Sequence, residues 1–202
     1  MVDVNFIITC FNREAYWPHL KALIDSYKEI TPHIAFCYNG SDKKFPCNVR
    51  YINRGLQIGD GQMICGGFNH LKGNGVNRWI KLSVDSWLCK EKVIHDLFAL
   101  MTNCGYHYCG NVWKKNPGAF STDVIFADTY FMDTFAKNYA PGKKFILEKY
   151  CNDVANWVGK WYIIPERIGH TDDDGHRDSC PALGWTMSHD LKKNLEFLNN
   201  AK

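Results

Sequence analysis

The sequence predicts an α/β fold with a mostly parallel, mixed sheet flanked by helices, and three observations lead to this prediction. Short apolar runs alternate along the chain with longer segments of helical periodicity, which is the order of strands joined by crossover helices. Several of these runs are continuously apolar, as in strands that are covered on both faces. The chain has 202 residues, 46% of them hydrophobic and 22% charged, which is enough for one domain with a sizeable core.

Seven strand-like runs and five helix-like segments follow one another along the chain. The predicted strands are residues 4–10, 33–38, 49–52, 79–84, 106–113, 123–127 and 160–165. The predicted helices are residues 14–30, 91–103, 129–139, 147–158 and 189–200. In the first helix Leu20, Leu23 and Ile24 share one face, and Pro18 fits an early turn. Ser188 is a good N-cap for the last helix.

Four polar, glycine-rich stretches interrupt these elements, at residues 39–46, 55–62, 114–121 and 169–180. We predict that they are loops gathered over one edge of the fold, because connecting segments run over the surface and carry functional residues. None of them is long enough to link two domains. We therefore predict a single domain over residues 1–202.

Composition and missing motifs exclude several classes of function. The net charge is +3 and no Lys/Arg cluster exceeds two residues, so a nucleic-acid partner is not expected. The turn after the first strand, residues 9–13, lacks the Gly-x-Gly-x-x-Gly of dinucleotide-binding proteins. The sequence also contains neither a P-loop nor the Gly-x-Ser-x-Gly turn of esterases.

The cysteines and the N-terminus predict a cytoplasmic location. The nine cysteines are scattered through apolar segments without a Cys-x-x-Cys pair, a pattern typical of free buried thiols in a reducing compartment. The N-terminus lacks the basic start of a signal peptide. No apolar run approaches the roughly 20 residues that a membrane-spanning helix needs. We expect a soluble protein without a transmembrane segment.

Acidic and histidine residues stand at the predicted loop edges. Asp85 ends the apolar run 79–84, and the carboxyl ends of strands in α/β proteins are where ligands bind. Asp-Ser is also ordinary turn chemistry, so a plain turn is the alternative. His170 and His176 flank the acidic run 172–174, which is either a solvated turn or a cation site. Carboxylate and imidazole together suit a divalent cation, and such a cation suits a diphosphate.

The chain resembles the small A-type-fold glycosyltransferases, the inverting family-2-like kind that uses nucleotide-diphospho-sugars. The resemblance covers roughly residues 3–177 and lies in the order and spacing of six segments: FIITCFNRE, AFCYNGSDK, YINRGLQIGDGQ, KLSVDSWLCKEKVI, FILEKYCNDVANWVGKWYIIP and IGHTDDDGH. It implies a glycosyltransferase A-type fold. Residues 1–100 would form a Rossmann-like half that binds the nucleotide-sugar, and residues 101–202 an acceptor-side half.

The resemblance also implies a set of nucleotide-sugar-binding residues. Asn39 stands where the family reads the base with an acid and can hydrogen-bond a pyrimidine edge, on which Tyr38 can stack. Ser83 replaces the first acid of the family's Asp-x-Asp motif, and Asp85 keeps the last. Trp87 is close enough to Asp85 to stack on a sugar, with core packing as its alternative. The complete set is Thr9, Cys10, Phe11, Asn12, Arg13, Tyr38, Asn39, Ser83, Asp85 and Trp87.

By resemblance, Asp85 and either His170 or His176 hold Mn²⁺ or Mg²⁺, which stabilises a departing nucleoside diphosphate. The donor is expected to be a UDP-sugar and the acceptor a glycan or another hydroxyl compound.

The acceptor hydroxyl requires a general base as it attacks the sugar. Glu148 is the first candidate, with a helix-dipole role as its alternative. Asp123 is the second candidate, with a strand-edge turn as its alternative. Arg13 or Lys81 can pair with phosphate, unless Lys81 points to solvent.

Two other functions are alternatives to a glycosyltransferase. A nucleotidyltransferase that makes sugar nucleotides usually has a glycine-rich, basic loop after its first strand, which TCFNRE does not provide. A catalytically degenerate module that binds sugar nucleotides or glycans is favoured by the departures from the family pattern at Tyr38 and Ser83.

Overall fold

The structure is a computed structural model that describes residues 1–52, 59–113, 116–140, 147–164, 170–171, 176–177 and 184–201. Its strands are β1 (Val2–Phe11), β2 (Ile30–Gly40), β3 (Val49–Ile52), β4 (Arg78–Ser83), β5 (Ser86–Leu88), β6 (Tyr108–Trp113), β7 (Asn116–Asp128), β8 (Trp161–Ile163), β9 (His170–Thr171), β10 (His176–Arg177) and β11 (Trp185–Met187). Its α-helices are α1 (Trp17–Asp25), α2 (Asp60–Leu71), α3 (Glu91–Cys104), α4 (Thr129–Asn138), α5 (Leu147–Val158) and α6 (Leu191–Ala201).

Seven strands form one mixed sheet in the order β3-β2-β1-β4-β7-β6-β8. Strand β1 pairs in parallel with β2 and β4, and β2 pairs in parallel with β3. Strand β7 is antiparallel to both β4 and β6, while β6 is parallel to β8. Only β7 therefore runs against the common direction of this sheet. The predicted mostly parallel, mixed sheet flanked by helices is confirmed.

The two faces of the sheet carry separate apolar layers. Successive side chains of a strand point to opposite faces, so Phe6 and Ile8 of β1 lie in one layer and Ile7 in the other. The first layer packs against α1 and α3, and the second against α2, α4 and α5. Because both faces are covered, β1 is continuously apolar from Phe6 to Ile8, as its sequence predicts.

Helix α2 occupies a stretch for which no helix was predicted. Its first residues fall in the predicted loop 55–62, and its two adjacent glycines are poor helix formers. A Cβ on Gly67 would come within 2.6 Å of the Ile7 side chain, so the helix needs a glycine there to approach the sheet closely. Met63 and Phe68 of the same helix are buried, and this tertiary packing overrides the weak local propensity.

Several predicted boundaries are wrong. Strand β7 begins at Asn116, inside the predicted loop 114–121, because it continues a ladder with β6. The predicted helix 14–30 is a 3-10 turn at Glu14–Tyr16 followed by α1, which ends at Asp25. The last helix begins at Leu191 instead of residue 189. Strands β5 and β11, which pair with each other, have no counterpart among the predictions.

Within the described ranges, no helix is both long enough and apolar enough to cross a membrane.

Candidate active site

Polar side chains converge on a cleft at the carboxyl edge of the sheet, next to β1 and β4. The strand order changes direction at β1, because β2 lies on one side of it and β4 on the other. Such switch points are where open α/β sheets bind ligands. The cleft has a volume of about 180 Å³. It is lined by Thr9, Phe11, Arg13, Asp60, Ser83, Val84, Asp85, Asp123 and His189.

Three of these residues, Arg13, Asp85 and His189, form a group that we call the arginine cluster. The Asp85 side chain is 2% exposed, and its Oδ2 accepts a hydrogen bond from Arg13 Nη1. His189 Nε2 lies 3.5 Å from the same oxygen. A carboxylate this deeply buried needs cationic or hydrogen-bonding partners, and the cluster provides them. The two basic side chains remain about one-third exposed.

A short antiparallel ribbon brings His189 to Asp85. Strand β5 directly follows Asp85 and pairs with β11, so that Ser86 lies opposite Met187. His189 therefore leaves the ribbon next to the point where Asp85 enters it. The Ser188 hydroxyl accepts from the Asp190 amide at 3.0 Å in this turn, which precedes the start of α6 at Leu191. Sequence reasoning missed His189 because it assigned residue 189 to the last helix.

Helix α6 fixes the backbone that carries Asp85. The Asn194 side-chain amide donates to the Asp85 carbonyl oxygen at 2.9 Å. The Asn194 Oδ1 atom accepts from the Thr186 hydroxyl, also at 2.9 Å. Asn194 and Thr186 are both fully buried, which makes these bonds costly to break. The turn after β4 is thus held by residues about 100 positions away in sequence.

A second group, which we call the lysine cluster, consists of Asp60, Lys81, Ser83 and Asp123. Its centre is the Lys81 ammonium group, whose side chain is fully buried. Lys81 Nζ lies 2.7 Å from Asp60 Oδ2, 2.9 Å from Ser83 Oγ and 2.5 Å from the Thr122 carbonyl oxygen. An ammonium group has three donors, so these three acceptors satisfy it completely.

Each carboxylate oxygen of Asp123 accepts a hydrogen bond from a serine hydroxyl group. Ser83 Oγ donates to Oδ1 and Ser121 Oγ donates to Oδ2, both at 3.1 Å. The direction of the first bond is fixed, because the Lys81 ammonium can only donate to Ser83 and leaves its hydroxyl proton for Asp123. Hydrogen bonds of this kind favour the ionised carboxylate. Asp123 lies 7% exposed in the cleft.

Six of the sequence-predicted residues meet in this cleft, and four others lie in the core. Thr9, Phe11, Arg13, Ser83, Asp85 and Asp123 line the cleft. The other four, Cys10, Tyr38, Asn39 and Trp87, are fully buried. Burial raises the pKa of the Cys10 thiol to about 12, so it is not a nucleophile at neutral pH. The exposed Asn12 adopts a left-handed backbone conformation with φ 50° in the turn that leads to Arg13.

The two aromatic residues predicted to stack on a ligand pack inside the protein. The Trp87 indole N–H donates to the Val84 carbonyl oxygen at 3.0 Å, and the ring meets Tyr16 edge-on. Trp87 thus takes its alternative, core packing. The Tyr38 hydroxyl donates to Glu14 at 2.5 Å and accepts from the Asp42 amide at 3.1 Å. With no exposed face, neither ring is open to a sugar or a base here.

Glu148 lies half-buried in the first turn of α5. Its charge reaches the buried Cys151 thiol, whose pKa is raised mainly by burial, lowered by Lys81, and raised further by Glu148 and Asp60. Helix α5 packs on the same face of the sheet as α2, whose first residue is Asp60 of the lysine cluster. Among the described residues it is not part of the cleft lining, whereas Asp123 is.

The two histidines predicted to bind metal lie on β9 and β10, which pair with each other. The side chains of His170 and His176, and the acidic run between them, lie outside the described residues.

Asp85 and His189 suit a divalent cation by their chemistry. Carboxylate oxygen and imidazole nitrogen are both ligands of Mn²⁺, and here they approach each other to 3.5 Å. Within the described ranges, no three His, Cys, Asp or Glu side chains are grouped closely enough to hold a metal ion by themselves. The residues therefore fit a cation that the protein holds with few ligands and that substrate oxygens and water complete.

Two larger cavities, of about 360 Å³ each, lie at the opposite edge of the sheet and share Arg78, Phe98 and Thr102. Their exposed lining is mainly apolar. The smaller cleft is nevertheless the better candidate, because the switch point and the convergent charged groups are both there.

Comparison with known proteins finds similarity at the level of structure. No protein-family model matches the sequence, and no curated protein matches it. A protein assigned as a nucleotide-diphospho-sugar transferase from Desulfovibrio desulfuricans G20 aligns over 100% of this chain and 99% of its own, with a TM-score of 0.52 and 11% identity. The 1–349 fragment of S. aureus TarS aligns over 83% of this chain and 59% of its own, with a TM-score of 0.52 and 11% identity.

A third solved structure is a glycosyltransferase involved in the glycosylation of the major capsid of PBCV-1. It aligns over 81% of both chains with a TM-score of 0.46 and 13% identity. The chain has the glycosyltransferase A-type fold, and the fold implied by the resemblance in sequence is confirmed.

Proposed function

We propose that the protein transfers a sugar from a nucleotide-diphospho-sugar, expected to be a UDP-sugar, to a hydroxyl group of a glycan or another acceptor. The observation that carries this proposal is the arginine cluster. A buried carboxylate, Asp85, stands at the switch point of a glycosyltransferase A-type sheet with two basic side chains beside it. The switch point is where such sheets bind ligands, and the two basic side chains there suit the negative charge of a diphosphate.

Arg13 is the residue that we assign to the diphosphate. Its side chain is 32% exposed, so the guanidinium group can turn from Asp85 to a ligand in the cleft. The planar guanidinium fork suits paired phosphate oxygens. Lys81, the other candidate from the sequence, is buried and gives all three of its donors to protein acceptors. It neither points to solvent nor has a donor left for phosphate.

Asp85 and His189 are the residues that we assign to Mn²⁺ or Mg²⁺. When bound, such a cation would offset the negative charge that develops on the departing nucleoside diphosphate. His189 joins His170 and His176, the histidines predicted for this role, because its imidazole lies 3.5 Å from Asp85 Oδ2.

Asp123 is the general base in this proposal. It lines the cleft, and the two hydroxyl groups on its oxygens suit an ionised carboxylate. It would accept the proton of the acceptor hydroxyl as that oxygen attacks the anomeric carbon. Attack from the side opposite to the departing diphosphate inverts the configuration of the sugar. Glu148 is the alternative base, and Asp123 is preferred over it because of its place in the cleft.

The direct test is a screen of nucleotide sugars for release of nucleoside diphosphate, with MnCl₂ or with EDTA. We expect slow hydrolysis of at least one donor by the wild type, faster with Mn²⁺, and its loss in Asp123→Asn. A protein that binds donors without turning over any of them would be the degenerate binding module instead. Release of pyrophosphate from a nucleoside triphosphate and a sugar phosphate would identify a nucleotidyltransferase.

A further inference from the structure

We infer that Lys81 is a positioning residue, which holds Asp60 directly and Asp123 through Ser83 so that both carboxylates face the cleft. This inference rests on the proposed function. It concerns a side chain that does not itself line the cleft and that no substrate could contact while it remains buried.

Lys81 places an ammonium group in a buried, apolar run of β4. Its neighbours in β4, Ile80 and Leu82, are fully buried, and an apolar residue at position 81 would continue this run. Burying an ammonium group is costly unless every donor is satisfied. The cost is met here by three acceptors that all lie beside the cleft. An apolar side chain could fill the same space, but it could not orient these acceptors.

The three acceptors belong to three different elements. Asp60 is the first residue of α2, Ser83 is the last residue of β4, and Thr122 lies in β7. The ammonium group therefore ties one helix and two antiparallel strands together at the floor of the cleft. Gly59 at the N-cap has no side chain that could cap α2, and the bond from Lys81 to Asp60 ties the first residue of this helix to β4.

The link from Lys81 to Asp123 runs through one hydroxyl group. Ser83 Oγ accepts from Lys81 at 2.9 Å and donates to Asp123 Oδ1 at 3.1 Å. Hydrogen bonds in such a chain polarise one another, so the ammonium strengthens the bond that Ser83 makes to the carboxylate. Without Lys81 the Ser83 hydroxyl is free to rotate, and Asp123 loses an oriented donor. The serine at the position of the family's first acid thus acquires a positioning role in this chain.

This arrangement predicts which kinetic constant changes. Lys81 and Ser83 act on the orientation of the proposed base, so their loss should lower kcat. The arginine cluster is not altered, so KM for the donor and the affinity for nucleoside diphosphate should be kept. A misplacement of about 1 Å can cost about 10²-fold in rate, and we expect a fall in kcat of about 10- to 100-fold for Lys81→Met.

The test compares Lys81→Met, Ser83→Ala and Ser83→Thr with the wild type. The control is Lys92→Met, because Lys92 is an exposed lysine that pairs with Asp96 on α3. Measurements are kcat and KM for the donor, binding of UDP by calorimetry, and crystal structures of the wild type and Lys81→Met. We expect lower kcat in Lys81→Met and Ser83→Ala with UDP affinity within about twofold, recovery in Ser83→Thr, and Asp60 and Asp123 turned away in Lys81→Met.

Two results would overturn the inference. One is a wild-type kcat in Ser83→Ala, and the other is an unchanged position of both carboxylates in Lys81→Met. If Lys81→Met does not fold, the serine pair still decides, because threonine keeps the hydroxyl group and alanine removes it. Failure of the proposed function looks different, since the wild type itself would then turn over no donor while the crystallographic comparison remains informative.

Discussion

The arginine cluster and the lysine cluster meet in one cleft, but they differ in where they keep their positive charge. The Arg13 side chain is 32% exposed, whereas the Lys81 side chain is 0% exposed. The carboxylates are distributed the other way, since Asp85 is 2% exposed and Asp60 is 28% exposed. The arginine cluster thus turns its cations towards a ligand, and the lysine cluster turns its carboxylates towards it.

This difference separates binding from positioning. An exposed cation can change its partner when a charged ligand arrives, whereas a buried cation with three satisfied donors is part of the structure. The arginine cluster therefore suits the recognition of a diphosphate. The lysine cluster suits the orientation of carboxylates that face the sugar and the acceptor.

The largest expected effect tests the carboxylate side of the comparison. Asp123→Asn keeps the size of the side chain and removes its ability to accept a proton as a carboxylate does. A general base contributes about 10²–10⁴-fold, so we expect kcat to fall by a factor in this range with KM for the donor unchanged. Steady-state kinetics with the best donor measure it. The same loss in Glu148→Gln, with none in Asp123→Asn, would transfer the role to Glu148.

The next effect is on stability, which should depend more on Lys81 than on Arg13. In Lys81→Met, Ser83 and Thr122 lose a buried donor, and Asp60 loses its ionic partner. We expect the free energy of unfolding to fall by about 1–3 kcal/mol, less than for a fully buried pair because Asp60 can reach water. Urea unfolding at an unchanged m-value measures it, with Lys92→Met as control. Equal or greater stability in Lys81→Met would show that the buried charge is not needed to hold the fold.

Arg13→Lys should affect binding and spare stability. Lysine keeps a positive charge beside Asp85, but it cannot offer the planar pair of donors that suits phosphate oxygens. Hydrogen bonds to charged groups contribute about 1.5–3 kcal/mol each, so the loss of one should weaken UDP binding by about tenfold or more. Calorimetry measures the affinity, and thermal unfolding checks the fold. Undiminished affinity would place the diphosphate elsewhere.

The smallest expected effect appears at alkaline pH, next to the arginine cluster. Burial raises the pKa of Cys10 from its ordinary value of 9.0 to about 12. Below pH 9 the thiol is protonated in both states, and above it the unfolded chain loses this proton first. Stability should therefore fall as pH rises above 9, and one such thiol should lower the free energy of unfolding by about 1.4 kcal/mol at pH 10.

The matched comparison for this effect is Cys10→Ala against Cys104→Ala, because Cys104 is exposed. Urea unfolding under reducing conditions at pH 7.5 and pH 10 should give a smaller loss in Cys10→Ala than in the wild type. Cys104→Ala should behave like the wild type. An identical pH dependence in all three proteins would contradict the assignment of this loss to Cys10.

Local patterns in the sequence were sufficient for most strands of the main sheet and for the place of the candidate cleft. Continuous apolar runs mark β1 and β4 because both faces of these strands are covered, and Asp85 marks the end of β4. The turn at residues 9–13 is likewise marked by the end of the apolar run of β1. These signals are local, because the burial of a strand on both faces shows in a few consecutive residues.

The partners of Asp85 depend on contacts that no local pattern carries. His189 reaches it through the pairing of β5 with β11, and Asn194 through the docking of α6. The role of Lys81 was missed because a lone lysine in a strand reads equally as solvent-facing, and only the positions of Asp60 and Thr122 distinguish the two. Trp87 shows the reverse error, since an aromatic residue near a ligand site and one in the core have the same sequence signature.

The most direct test of the central claim is the affinity of Asp85→Asn for UDP, measured by calorimetry with Mn²⁺ and with EDTA. Asparagine keeps the size of the side chain and removes its charge. The wild type should bind UDP more tightly with Mn²⁺ than with EDTA. The variant should lose at least about 10- to 100-fold in Mn²⁺-dependent UDP affinity, which is the loss caused by changing residues that only support a metal ligand. A folded variant whose Mn²⁺-dependent UDP affinity equals that of the wild type would contradict the role of Asp85 as the anchor of the site.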